Sequence, residues 1–313
     1  MTNAATEKPD GPQFSKGFDP AYGRAVEVAP GILRVTANNP SPMTFAGTNS
    51  YVVGDDARCF VIDPGPADDR HLETLLGAVA GRRVDAVLLT HTHSDHSALA
   101  MRFSAKVAAP LFGAKGRGAI ENAEEGKPLD VPPAEDIVYA RHLGDGDRLD
   151  LAGRTVETVA TPGHAFDHLA LALPEAGVLF SGDHVMAWST PVVAPPDGAM
   201  GDYMASLEKL LGRTEDVYLP GHGGPVERPV PFVRGLIRHR LMREATILKH
   251  LAAGDGTIDQ IVAATYPGLD PRLTRAAGLS VLAHLLDLEE RGQIVKAGDA
   301  NGMATYRLVS PVG

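Results

Sequence analysis

The sequence has one cysteine, Cys59, so no disulfide can form within the chain. That suits a reducing compartment and predicts a cytoplasmic protein. Cys59 lies in the apolar stretch Cys59-Phe60-Val61-Ile62 and reads as a small buried hydrophobe rather than a reactive thiol. No apolar run approaches the roughly 18 residues that span a membrane, so no membrane contact is expected. The opening residues MTNAATEKPDGPQFSKG have neither the apolar core of a signal peptide nor a twin arginine, and residues 1–22 read as a flexible lead-in. Basic charge is in deficit: 29 Lys and Arg face 39 Asp and Glu, a net charge of −10, which argues against strong non-specific nucleic-acid binding. Low-complexity tracts and repeats of roughly 20–50 residues are also missing.

What is present is ordinary globular material. A length of 313 residues suggests two domains at about 150 residues each. Short strands are expected at 48–53 and 59–62, stopped by Asp63-Pro64-Gly65. Leu72, Leu75, Leu76 and Val79 carry helical spacing over 68–80. Val84 to Leu89 is a nearly continuous apolar run, as expected of a strand buried on both faces. A helix over 97–103 and a short strand near Val107 follow, then a Gly-, Pro- and charge-rich excursion at 114–136. Strand patterning returns from 146 to 182, before a helix over 202–212 and a strand at 217–219. This alternation predicts a layered domain over 23–230.

From about 231 the organisation changes. Residues 231–252 read as a long helix, and Thr257 with Gln260 three residues on is a capping-box pattern opening a second. A third helix over 272–290 ends at Gly292, and two short strands flank Gly298-Asp299-Ala300-Asn301-Gly302. Three helices and a hairpin are the layout of a winged helix, which defines a second domain over 231–313.

The unusual chemistry sits behind the apolar run at 84–89. His91, His93, Asp95 and His96 fall within six residues. His91 and His93 alternate with Thr92, so on extended backbone their side chains leave in one direction. Neutral imidazoles with a carboxylate are natural ligands for a divalent transition ion. Three further candidates, His164, Asp183 and His222, each follow an apolar strand and each lie beside a glycine. Groups at the ends of several strands converge on one edge of a sheet. As solvated loop polars, seven such residues in this arrangement would be a poor coincidence.

His91-x-His93-x-Asp95-His96, Thr161-Pro162-Gly163-His164, Ser181-Gly182-Asp183 and Pro220-Gly221-His222 resemble the motifs of the metallo-β-lactamase-fold hydrolases. Gly47-Thr48-Asn49-Ser50-Tyr51 and Ile62-Asp63-Pro64-Gly65 are similar to that family's early strands, so the resemblance covers roughly residues 30–225. The winged helix behind it is similar to the β-lactamase-like protein 2 branch. The resemblance implies an α+β fold, a four-layer αββα sandwich followed by a small winged-helix domain. It also implies two divalent ions, zinc by preference with manganese or iron as alternatives. His91, His93 and His164 would hold the first, and Asp95, His96 and His222 the second. Asp183 would bridge them, with hydroxide between the ions as nucleophile and Asp95 and Asp183 as the catalytic carboxylates. The chain departs from the family at Ser97-Ala98-Leu99, where Gly-Gly usually stands. Asp183, with no cysteine near the site, argues against antibiotic hydrolysis as the main role.

Four other residues are candidates for substrate contact or for support of the ligands. Asp63 reads either as acceptor for a ligating imidazole or as a turn aspartate, and His168 either as a support or as a surface histidine. Tyr51 reads as a core tyrosine before an oxyanion donor, and Trp188, the sole tryptophan, as pocket wall or simple packing. His184 would point away from Asp183 and reads as structural. Residues 186–201 are the candidate access loop. Residues 240–313 carry eight basic and eight acidic side chains, unlike a basic nucleic-acid reader, although Arg272, Arg275 and Lys296 could touch phosphates. The winged helix is expected to cover the hydrolase domain, wall the cleft or support a homodimer. The first functional reading is hydrolysis of a small-molecule ester or thioester. The alternative is an endoribonuclease holding single-stranded RNA on the winged helix. A DNA-binding regulator would leave the ligand set without a use.

Overall fold

The computed structural model describes residues 11–116, 137–254, 256–300 and 303–309. Most of the excursion expected at 114–136 lies outside them. Seven strands form the first sheet in chain order: β1 (Ala25–Ala29), β2 (Ile32–Thr36), β3 (Asn49–Gly54), β4 (Arg58–Ile62), β5 (Arg83–Leu88), β6 (Leu111–Ala114) and β7 (Arg141–Leu143). It is antiparallel as far as β4 and parallel from β4 onward. The second sheet is built from β8 (Arg148–Leu151), β9 (Arg154–Ala160), β10 (Leu169–Leu173), β11 (Val178–Gly182) and β12 (Val217–Pro220), in the order β12-β11-β10-β9-β8. Only β11 and β12 run parallel there.

The two sheets pack face to face because both faces of their central strands are apolar. Tyr51, Val53, Phe60, Ile62 and Leu88 meet Leu169, Leu171, Leu173, Phe180 and Leu219 in the space between the sheets. Their neighbours in sequence point the opposite way, following the two-residue strand period. Val52, Val61 and Val87 pack under α1 (Asp69–Ala78) and α3 (Ala100–Val107). Ala170, Ala172, Leu179 and Tyr218 pack under α4 (Met200–Leu210) and the start of α5 (Pro229–Ala252). The result is an αββα sandwich.

Three expectations differ in detail. The helix expected at 97–103 is two pieces, α2 (Ser94–Ser97) and α3, broken at Ala98-Leu99. Val107 is the last residue of α3 rather than a strand; Ala108 takes a left-handed conformation (φ 51°), and with Pro110 it ends the helix, so the strand begins at Leu111. Residues 11–22 are not a loose leader. The Ser15 N–H donates to the Ala187 carbonyl at 2.8 Å, and Phe14 stands edge-on to Phe232 at 6.0 Å. Two phenylalanines in an otherwise polar stretch supply the apolar contacts that hold it down.

The C-terminal module consists of α6 (Ile258–Thr265), α7 (Thr274–Glu290), β13 (Gly256–Thr257), β14 (Ile294–Ala300) and β15 (Met303–Leu308). The strands pair in the order β13-β15-β14. Thr257 caps α6 and Gln260 returns to the Thr257 N–H, a complete capping box. The 24-residue α5 serves both units. Its first half places Val233, Leu236 and Ile237 on the second sheet's outer layer. Its second half places Ile247 and Leu251 in the core of the C-terminal module.

His284 of α7 is buried, and among the described residues neither of its ring nitrogens has a hydrogen-bond partner. Burial, reinforced by Arg240 and Arg291, pushes its pKa down to about 3. The unfolded chain therefore takes up a proton near pH 6.5 that the folded chain refuses. Stability from this residue is present above pH 6.5 and is lost as pH falls toward 3. Denaturation of the metal-free protein between pH 6.5 and 4 should show this slope, and His284→Leu should remove about one proton from it, about 1.4 kcal/mol per pH unit. An unchanged slope in the variant would contradict the assignment.

Candidate metal centre

The strand ends at one rim of the sandwich carry the seven residues, and the fold brings all seven together. His91 and His93 leave β5, Asp95 and His96 occupy α2, His164 follows β9, Asp183 follows β11 and His222 follows β12. Three overlapping groups have potential ligand atoms within 4.8 Å of one another: His91, His93 and His164; His91, His96 and Asp183; Asp95, His96 and His222. Asp183 lies between the outer two. One of its oxygens is 3.5 Å from His96 Nε2, and the other is 3.1 Å from His222 Nε2 and 3.7 Å from His164 Nε2. Asp95 Oδ2 sits 3.2 Å from His222 Nε2 and 3.4 Å from His96 Nε2. Gly221 makes this approach possible, since a Cβ there would come within 2.4 Å of Asp183 Oδ1.

Each imidazole is held from behind through one nitrogen. The Asp63 carboxylate accepts from His96 Nδ1 at 2.9 Å and from the Thr90 hydroxyl at 2.7 Å. With its proton given to Asp63, the Thr90 oxygen accepts from His91 Nδ1 at 3.0 Å. His164 Nδ1 donates to the Val192 carbonyl at 2.7 Å, and His222 Nδ1 to that of Gly47 at 3.2 Å. His93 is reversed: its Nε2 meets Asp197 at 2.8 Å, and its Nδ1 faces His164 Nε2 at 3.0 Å. The opposite nitrogens therefore face one another across the cluster, where each can offer a lone pair once it is unprotonated. His91 Nε2, His96 Nε2 and Asp183 Oδ1 are buried with no hydrogen-bond partner. Orphaned acceptors at the meeting point of imidazoles and carboxylates suit a divalent cation.

The electrostatics agree. Burial disfavours charge on His96, yet Asp95 and Asp183 hold its pKa well above the ordinary value. Burial likewise opposes charge on His222, which Asp183 and Asp95 raise to about 10. His91 is pushed well below the ordinary value by burial and by the neighbouring His96 and His93. Burial opposes ionising Asp183, but His222 and His96 hold it well below the usual carboxylate range. The carboxylate end of the cluster draws positive charge, and protons occupy it when no metal does.

The supporting candidates fall into place individually. Asp63 accepts from His96 and, through Thr90, governs His91. His168 is buried rather than on the surface; its Nδ1 meets Thr161 Oγ1 at 2.9 Å, and its Nε2 accepts the Asp183 N–H at 3.1 Å. Tyr51 donates to the Pro220 carbonyl at 2.8 Å, ahead of His222, and is a buried support rather than an oxyanion donor. Trp188 stacks on Phe45 with centroids 5.0 Å apart, both against Gly223 next to His222. His184 turns away onto Tyr203, at 4.7 Å. Asp197, Thr90 and Thr48 escape the sequence reading. The Thr48 hydroxyl donates to Asp95 at 2.9 Å, and the motif Gly47-Thr48-Asn49 could have flagged it. Nothing in the spacing joins Asp197 to a histidine 104 residues earlier.

Comparison with known proteins gives a consistent picture. The family described as Metallo-beta-lactamase superfamily matches residues 43–222, and the Beta-lactamase associated winged helix domain matches 257–302. A Beta-lactamase-like protein 2 homolog of Drosophila melanogaster is 31% identical over 84% of this chain and 89% of its own. An Atrochrysone carboxyl ACP thioesterase of Aspergillus fumigatus is 32% identical over 71% of this chain and 65% of its own. The crystal structure of a Beta-lactamase domain protein from Burkholderia ambifaria shares the fold with a TM-score of 0.78 at 23% identity, covering 96% of this chain and 97% of that one.

If Asp63 fixes the tautomers of two ligands, Asp63→Asn should weaken metal binding by about 10- to 100-fold without unfolding the protein. Chelator competition would measure this, and an affinity within twofold of the parent would refute it.

Proposed function

The chain belongs to the metallo-beta-lactamase superfamily and is a hydrolase of that family, and from that premise we propose that it cleaves a small-molecule ester or thioester using two divalent ions. The observation that carries the two-ion reading is the position of Asp183, with one oxygen toward His96 and the other toward His164 and His222. His91, His93 and His164 would hold one ion, and Asp95, His96 and His222 the other. Bound there, two such ions make water acidic enough to ionise near neutral pH and draw off the charge that builds on a carbonyl oxygen. Zinc is the preferred metal, with manganese and iron compatible with the same donors.

The chain's own groups do the positioning. Asp95 and Asp183 are held ionised by the imidazoles around them, so they act as anionic ligands rather than as acids. Thr48 fixes one oxygen of Asp95, and the Asp183 N–H on His168 fixes the backbone of the bridging residue. Phe45 and Trp188 form an apolar wall next to His222 that suits the acyl part of a substrate. The thioester reading draws support from the relative named as an ACP thioesterase. The net charge of −10 and the balanced charge of residues 240–313 weigh against RNA. No described helix is long and apolar enough to cross a membrane, and the lone buried Cys59 suits the cytoplasm.

Purified, metal-loaded protein should contain close to two ions per chain. In a turnover panel of thioesters, lactones, phosphodiesters and single-stranded RNA, acyl substrates should be preferred. Asp183→Asn should lower kcat by several orders of magnitude. Preferential cleavage of RNA would transfer the assignment to the endoribonuclease reading, and full turnover by the variant would remove the bridging role.

A further inference from the structure

Two of the histidines are held not by the strands that carry them but by one loop, residues 188–198. Its Val192 carbonyl accepts from His164 Nδ1 at 2.7 Å, and its Asp197 carboxylate meets His93 Nε2 at 2.8 Å. Both histidines belong to the group that includes His91. The loop's far end is tight: Gly198 donates to Ala194 at 2.8 Å, and a Cβ on it would come within 3.0 Å of the Gly163 and His164 carbonyls. Its near end is fastened from the helix that continues into the C-terminal module. Arg240 of α5 donates through Nη2 to the Pro191 carbonyl at 2.5 Å, one residue before Val192.

Arg240 is an unusual residue to find there. It is 3% exposed, and among the described residues no carboxylate pairs with it. Its guanidinium lies 5.0 Å from the ring centroid of Tyr203. Tyr203 in turn reaches the His184 carbonyl at 3.3 Å, and its backbone abuts Gly163, the residue before His164. A permanent cation has thus been withdrawn from water without a counter-ion among the described residues, a costly arrangement that packing alone does not require. An apolar side chain of similar length would fill the space, but it would leave the Pro191 carbonyl without this donor.

We propose that Arg240 is a positioning residue for the metal centre, fastening the 188–198 loop so that Val192 and Asp197 hold His164 and His93 in ligating orientation. Because α5 runs on into the C-terminal module, where Ile247 and Leu251 enter the core, the module's seating on the hydrolase layers is thereby coupled to one half of the site. This rests on the reading that His91, His93 and His164 hold one ion and Asp95, His96 and His222 the other.

The test is zinc binding to the full-length, metal-free protein, measured by chelator competition, with thermal unfolding of the same metal-free samples as the control. Asp197→Asn touches the ligand set only through His93 and so marks which of two binding steps belongs to that ion. Arg240→Met and Arg240→Lys should weaken the same step by about 10- to 100-fold and leave the other within twofold. Their kcat should fall with little change in KM. Arg240→Lys keeps the charge but loses the planar fork, and it decides the matter if Arg240→Met fails to fold. Unchanged affinities in a folded variant, or equal loss at both steps, would overturn the proposal. Failure of the parent protein to bind zinc, manganese or iron at all would instead overturn the functional reading beneath it.

Discussion

An imidazole can offer a lone pair inward only if its other nitrogen is committed outward, and the centre depends on that constraint. Five histidines meet it in different ways: His96 through Asp63, His91 through Thr90, His93 through Asp197, and His164 and His222 through the Val192 and Gly47 carbonyls. The strands deliver the histidines, but residues outside the strands hold all five in place. Asp63 itself adopts a left-handed backbone conformation (φ 50°), uncommon for a residue with a side chain. In that conformation its carboxylate accepts from the Thr90 N–H and hydroxyl and from His96 together. The strain is retained where one carboxylate serves two of the clustered histidines.

Much of this was legible in the sequence, and the physics explains which parts. Strands buried on both faces announce themselves as apolar runs, so β4, β5 and β10 to β12 are visible from composition alone. β1 is half exposed, with a burial pattern that alternates weakly, and β7 is three residues long; neither carries a signal. The ligand residues are visible because several ionisable groups follow such runs. Their outer partners are hidden for a chemical reason. A backbone carbonyl such as that of Val192 has no sequence signature, and Asp197 sits in a proline-rich segment where an aspartate would pass for a turn residue.

The boundary between the two units was hidden for a different reason. A helical pattern shows where a helix runs but not how many cores it enters. In α5 the residues facing the second sheet and those facing α6 and α7 follow one another along a single uninterrupted helix. The charges along it differ in kind as well. Glu244 of α5 pairs near the surface with Arg291 at the end of α7, where such pairs contribute little to stability. Arg240 is buried at the junction and acts through geometry rather than through ion pairing.

Burying Asp95 and Asp183 at one rim creates a demand for positive charge that the fold meets in either of two ways. Without metal, protons on His96 and His222 meet it. Both pKa values are raised above the unfolded value, so this contribution is complete below about pH 6.5 and fades as pH climbs toward 10, where His222 releases its proton. A divalent ion bound there would meet the same demand more strongly as pH rises, because it must displace the protons that His96 and His222 otherwise hold. The two stabilisers would therefore be complementary across pH.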